Sequence, residues 1–220
     1  AREGEPDPIY ITVTRARIEV PMLETEMLED DIAYIHLLEF GEGATQQVEQ
    51  ALKELQRENP QGLVFDLRSN PGGWLAEAIT MSDLFLDEGL IAIKRDSDGN
   101  EERFYSYDGD RGEDIPMVVL VDQYSASASE IVAGALQDRD RAVLIGEQTV
   151  GKGSVQRPYD LEDGSQFRVT IARWFTPDEQ MIHDNGLTPD IKVEFPMDAA
   201  EDEDEDPQLD RAIEYLLEQN

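Results

Sequence analysis

The sequence predicts an α/β fold, and three observations carry that reading. Short, almost wholly apolar runs at 62–67, 117–121 and 142–145 have the length and composition of strands buried on both faces. Segments of helical periodicity lie between them. Each run ends in a turn rich in glycine or small residues, where open α/β sheets place their functional groups.

Taken in order, Ile9 to Val20 alternates β-branched and polar residues until Pro21 stops it, and reads as one edge strand or two short ones. Ile32 to Phe40 reads as a second strand, broken by Gly41-Glu42-Gly43. A helix opens at Thr45, with Val48, Leu52 and Leu55 at helical spacing, and closes near Asn59-Pro60. The buried run from Gly62 leads into Arg68-Ser69-Asn70-Pro71-Gly72-Gly73, and helical periodicity resumes from Trp74 to Leu86. Leu90–Lys94 and Arg103–Tyr107 form a hairpin around Ser97-Asp98-Gly99-Asn100. That turn lacks the glycine position and terminal Glu of an EF-hand, so its aspartates read as turn chemistry. After the strand at Met117–Val121, Ile131 to Leu136 continues as helix, Ala142–Ile145 is a strand, and strands follow at Ser154–Tyr159, Phe167–Trp174 and Ile191–Glu194. An amphipathic helix from Pro207 to Glu218 closes the chain.

The 220 residues suit one large domain, or one domain with a small appendage. Eighteen Lys and Arg stand against 50 Asp and Glu, and the net charge of -32 repels phosphate backbones, which argues against nucleic acid as a partner. Asp198 and the run Glu201 to Asp206 read as a solvated, self-repelling linker rather than a calcium site. Without cysteine there is neither a disulfide framework nor a thiolate metal site. No apolar run approaches the roughly 20 residues of a membrane span. The first residues show no signal-peptide pattern, and a chain that starts without methionine reads as a piece of a longer or processed protein.

Two turns can do chemistry. In Ser125-Ala126-Ser127-Ala128-Ser129 a hydroxyl meets the first turn of a helix, whose free N–H groups can stabilise an oxyanion; the same serines would equally serve as helix caps. A nucleophilic serine needs a base. His36 and His183 are the two histidines, and a Ser-His-Asp triad built from distant positions stays open on spacing alone. Lys152, flanked by Gly151 and Gly153 beyond an apolar strand, is the other candidate, with an ammonium that burial would shift from about 10.4 toward neutrality. Gly146 to Lys152 also matches most of a phosphate-binding loop. That match fails where Gly153 replaces the magnesium-binding Ser or Thr and a strand follows instead of a helix.

Ser125-Ala126-Ser127-Ala128-Ser129-Glu130-Ile131, Gly151-Lys152-Gly153-Ser154-Val155-Gln156 and Asp66-Leu67-Arg68-Ser69-Asn70-Pro71-Gly72-Gly73, with Gly186-Leu187-Thr188-Pro189-Asp190, closely resemble the carboxy-terminal processing peptidases, or tail-specific proteases, of the S41 class. The resemblance spans about Ile9 to Glu194. It implies a ClpP/crotonase-like α/β fold and a serine endopeptidase acting near the C-termini of protein substrates. It puts the nucleophile on Ser127, the general base on Lys152 and the residue that orients the lysine on Gln156, and makes the backbone N–H groups of Gly73 and Ala128 the oxyanion donors.

The resemblance further implies that no metal or cofactor is needed, that the partners are proteins or peptides with accessible C-termini, and that the location is extracytoplasmic (periplasm, cell envelope or secreted). Family members carry a PDZ domain ahead of the core, and Ile9 to Arg15 resembles only its last strand. The domains expected are therefore a PDZ remnant and linker at 1–20, a peptidase core at 21–197, and an acidic linker with a terminal helix at 198–220. A latent core kept as a binding module is the alternative function. The apolar stripe Leu209, Ile213, Leu216 and Leu217 would pack on its own core or, alternatively, form a homodimer contact.

Overall fold

The computed structural model describes residues 22–195 and 205–219. The expected strand at Ile9–Val20 and most of the acidic run lie outside the described residues. Within them, a six-stranded sheet runs in the order β1 (Leu23–Met27), β2 (Ile32–Leu37), β3 (Gly62–Asp66), β6 (Met117–Val121), β7 (Val143–Gly146), β10 (Ile191–Lys192). All neighbours are parallel except β1 and β2. β1 is not among the predicted strands. Its LETEM sequence carries two glutamates and its central residues are exposed, as suits an edge strand that buries little.

The continuous apolar runs of β3 and β6 are explained by burial on both faces. Leu63, Phe65, Val119 and Val121 face a core shared with α1 (Ala44–Leu55), α2 (Leu75–Phe85) and α3 (Ala128–Asp138), whereas Val64, Val118 and Leu120 face α4 (Pro207–Glu218). α4 covers that second face with Ala212 and Leu216, flanked by Leu209, Ile213 and Tyr215. Most of the terminal apolar stripe is therefore used within the chain, and only Leu217 of the four predicted positions stays exposed. Pro207 opens α4 with its fixed φ, and the Asp206 carboxylate accepts the Leu209 N–H, so the last acidic residue of the expected linker is a helix cap.

A second, antiparallel sheet has the order β5 (Glu101–Ser106), β4 (Gly89–Asp96), β9 (Gln166–Phe175), β8 (Ser154–Asp160). The β4–β5 turn is the predicted one: Asp96 Oδ1 accepts the N–H groups of Asp98 and Asn100, each at 2.9 Å. β8 is an edge strand of this sheet and begins two residues after Lys152. No helix among the described residues is long and apolar enough to cross a membrane.

Candidate active site

β6 delivers the chain to Asp122, and this carboxylate shapes the turn that follows. Oδ1 accepts the N–H groups of Tyr124 and Ser125 and, from a different segment, that of Ser69, all at 2.9 Å. The turns after β3 and β6 are thus tied to one side chain. Asn70, fully buried, adds a second tie: its carbonyl accepts from the Ala126 N–H and the Ser129 hydroxyl, both at 3.0 Å, while its amide reaches the Leu37 carbonyl. Ser125 and Ser129 are therefore consumed in structural hydrogen bonds, Ser125 Oγ donating to the Leu67 carbonyl at 2.8 Å. Of the three serines, only Ser127 keeps its hydroxyl out of these ties.

Ser127 has φ 58° and ψ −110°, a conformation that costs a non-glycine residue about 1–3 kcal/mol and that its surroundings must impose. α3 starts at the next residue, and every residue from Ala128 to Leu136 is buried, which fixes the helix behind the serine. Gly72 presses against the same segment. A Cβ added there would lie 2.6 Å from the Ala126 carbonyl oxygen and 2.8 Å from both Ala128 N and Ser127 Cβ, so only glycine fits. Gly73 is equally confined, its missing Cβ pointing at the Phe40 carbonyl. The Gly73 and Ala128 N–H groups make no hydrogen bond among the described residues, and Gly72 brings the two backbone segments into contact.

The lysine segment is held by a residue that the sequence reading passed over. Glu130, on the first turn of α3 and fully buried, accepts from Ser127 N and Lys152 N through Oε2, each at 2.9 Å. Its Oε1 accepts from Gly151 N at 2.7 Å and Thr149 Oγ1 at 2.6 Å. The signal for it was a carboxylate at the start of a largely apolar stretch, Ile131 to Leu136, where a buried acceptor needs several donors around it. Gly151 and Gly153 pack their bare faces against the 182–186 turn, which leaves the Lys152 side chain on the open side. Lys152 is exposed, contrary to the desolvated ammonium expected from the sequence, and no hydrogen bond joins it to Ser127. Gln156 is exposed on β8, at a register shift between Val155 and Gln156.

His36 lies on β2 with Nε2 3.3 Å from the Arg68 carbonyl, and His183 lies in the turn beside Gly153 with its buried Nδ1 unpartnered. Neither bonds to Ser127. The phosphate-loop reading also fails structurally, since Gly153 leads into β8 and not a helix.

The model of peptidase family S41 matches residues 31–193. A carboxyl-terminal-processing protease of Synechocystis is 39% identical over 198 residues, covering 88% of this chain and 46% of the relative. A carboxy-terminal-processing protease of Bartonella bacilliformis is 42% identical over 201 residues, covering 89% of this chain and 46% of the relative. The chain thus spans less than half the length of these relatives. Among solved structures, the photosystem II D1 C-terminal processing protease superposes with a TM-score of 0.73 at 32% identity, covering 82% of this chain and 50% of that one. Mature CPAF, at 13% identity and a TM-score of 0.66 over 88% of this chain and 52% of its own, shares the fold alone. The motifs, the two-sided sheet and these matches agree, and the chain belongs to peptidase family S41.

Proposed function

We propose that this chain is the catalytic core of a serine endopeptidase that cleaves protein substrates near their C-termini, with Ser127 as nucleophile and Lys152 as general base. The observation that carries it is the Glu130 carboxylate, which fixes the backbone of both residues while Gly72 packs the candidate oxyanion turn against Ser127. In this reading the Lys152 amine takes the Ser127 proton as Oγ attacks the scissile carbonyl, and the N–H groups of Gly73 and Ala128 hold the oxyanion. The lysine then gives that proton to the leaving amine, which departs and leaves an acyl-serine. Water, deprotonated by the same lysine, attacks the ester; the acid product leaves and the serine regains its proton. Gln156 orients the lysine. The scheme uses no metal or cofactor, and the family resemblance supports an extracytoplasmic location.

The exposure of Lys152 favours a second reading, a latent core in which the base is not engaged. Incubation with an unfolded protein substrate, together with labelling by a fluorophosphonate, tests both. Cleavage and labelling that vanish in Ser127→Ala and Lys152→Ala support the peptidase. Cleavage that persists in either variant rules out the dyad, and a parent chain that neither cleaves nor labels supports the latent reading.

A further inference from the structure

On the face of the sheet opposite α3, the carboxyl end of β3 carries a second polar cluster. Arg68 lies there with all five guanidinium N–H donors engaged. Nε donates to Asp66, Nη2 to both Asp66 (2.6 Å) and Asp206 (2.8 Å), and Nη1 to Asp206 (2.9 Å) and Gln208 Oε1 (3.1 Å). Asp66 is itself saturated, accepting the Arg68 backbone N–H and the Tyr34 hydroxyl, both at 2.8 Å. Gln208, 1% exposed, spends its amide N–H on the Val193 carbonyl. These residues line a cavity of about 510 Å³ that also touches Ser69, Asp122 and Tyr124.

Arg68 is also the second residue beyond β3, immediately before the turn that carries Gly72 and Gly73. Its backbone carbonyl contacts His36 Nε2, and the next residue, Ser69, is in the left-handed region with its N–H on Asp122. The held guanidinium therefore joins Asp122 and Asn70 in setting the direction in which the chain leaves β3. Asp66 holds one edge of the fork. Among the described residues the other edge is held by Asp206 and Gln208, at the start of α4, beyond residue 193 where the family match ends.

We infer that Asp206, assisted by Gln208, is a positioning residue: by completing the Arg68 fork it holds the 67–73 turn in the arrangement that presents the Gly73 N–H to the oxyanion. The catalytic part of this inference rests on the function proposed above. With Asp206 uncharged, the Nη1/Nη2 edge faces the cavity without its carboxylate, the guanidinium regains freedom to turn, and the Gly72–Gly73 segment loosens on its Asp122 side. Stabilisation of an oxyanion that exists only in the transition state then falls, while ground-state binding stays.

The test uses the full chain with Asp206→Asn, since asparagine caps a helix about as well as aspartate and α4 keeps its start. Leu52→Ala, in the α1 core, serves as a variant that lowers stability elsewhere. Two readouts are needed: amide hydrogen exchange across 67–73, and kcat and KM on an unfolded protein substrate. The expected result for Asp206→Asn is at least tenfold faster exchange at 67–73 with 117–121 unchanged, kcat reduced about tenfold and KM within twofold. Asp206→Glu should recover part of both, and Leu52→Ala should lower Tm with kcat within twofold. Unchanged exchange at 67–73, or unchanged kcat in an active enzyme, overturns the inference. If the parent chain does not cleave at all, the peptidase proposal is what fails, and the exchange readout still decides whether Asp206 holds the turn.

Discussion

Ser127 and Lys152, twenty-five residues apart, both donate their backbone N–H to the same oxygen of Glu130, each at 2.9 Å. The side chain that joins them is neither nucleophile nor base. It is a buried acceptor with four donors, so its removal reaches both residues at once. For Glu130→Gln the amide nitrogen must face at least one N–H it cannot accept, which leaves buried donors unsatisfied at about 1–3 kcal/mol each. The expected outcome is a loss of about 3 kcal/mol in stability, a Tm lower by roughly 6–12 °C for a chain of this size, and activity down by at least a hundredfold. Calorimetry and a cleavage assay check it; a Glu130→Gln enzyme with parental kcat would show that the bridge is dispensable.

The strain at Ser127 has its own consequence. Its φ of 58° is natural for glycine and costly for any residue with a Cβ. Ser127→Gly should therefore be more stable than Ser127→Ala by about 1 kcal/mol, or roughly 2–4 °C in Tm, although both remove the hydroxyl. Equal melting temperatures for the two would place the strain elsewhere.

Gly72→Ala puts a methyl group into the backbone on either side of Ser127 at a residue with φ 95°. A stability loss of about 2–3 kcal/mol is expected from conformation and overlap together. Because the methyl lands on Ser127 and Ala128 directly, activity should fall even at temperatures where the variant is fully folded. Urea unfolding monitored beside a cleavage assay separates the two effects.

Acid should weaken the structure through two carboxylates. Burial alone would push the Asp206 carboxyl up, but the hydrogen bonds and charge of Arg68, with the N–H groups of Leu209 and Gln208, outweigh it and hold the group below its ordinary range. Glu77 behaves alike: burial pushes its carboxyl up, but the N–H groups of Thr45 and Gly43 and the Thr45 hydroxyl together outweigh it and hold it below its ordinary range. A carboxyl depressed on folding adds stability that is fully present above its unfolded value of about 4 and is lost as pH falls through the folded value. Tm should thus be flat from neutrality to about pH 5 and fall below about pH 4, with a shallower fall in Asp206→Asn. An identical acid slope in that variant would remove Asp206 from the account.

Hydrophobic pattern alone located most of the fold. The runs at β3, β6 and β7 are almost wholly apolar because helices cover both faces of the sheet, and α1, α2 and α4 announce themselves by spacing. The family resemblance nominated Ser127, Lys152, Gly73, Ala128 and Gln156 for the roles proposed above. β1 escaped because an acidic edge strand carries no hydrophobic alternation, and Glu130 escaped because one carboxylate at the start of a largely apolar stretch looks like an exception until its four donors are seen.

The sequence by itself determined most of the elements and the candidate chemical residues, since periodicity, turn residues and short motifs are local properties of the chain. Only the tertiary structure decided how the turns are fastened to one another. Asp122 and Asn70 tie the glycine turn to the serine turn, Glu130 ties the serine to the lysine segment, and Asp206 reaches Arg68 from 138 positions away. The exposure of Lys152 was likewise beyond the sequence. Two flanking glycines suggest room around the side chain, but which way it points depends on the 182–186 turn packed against them.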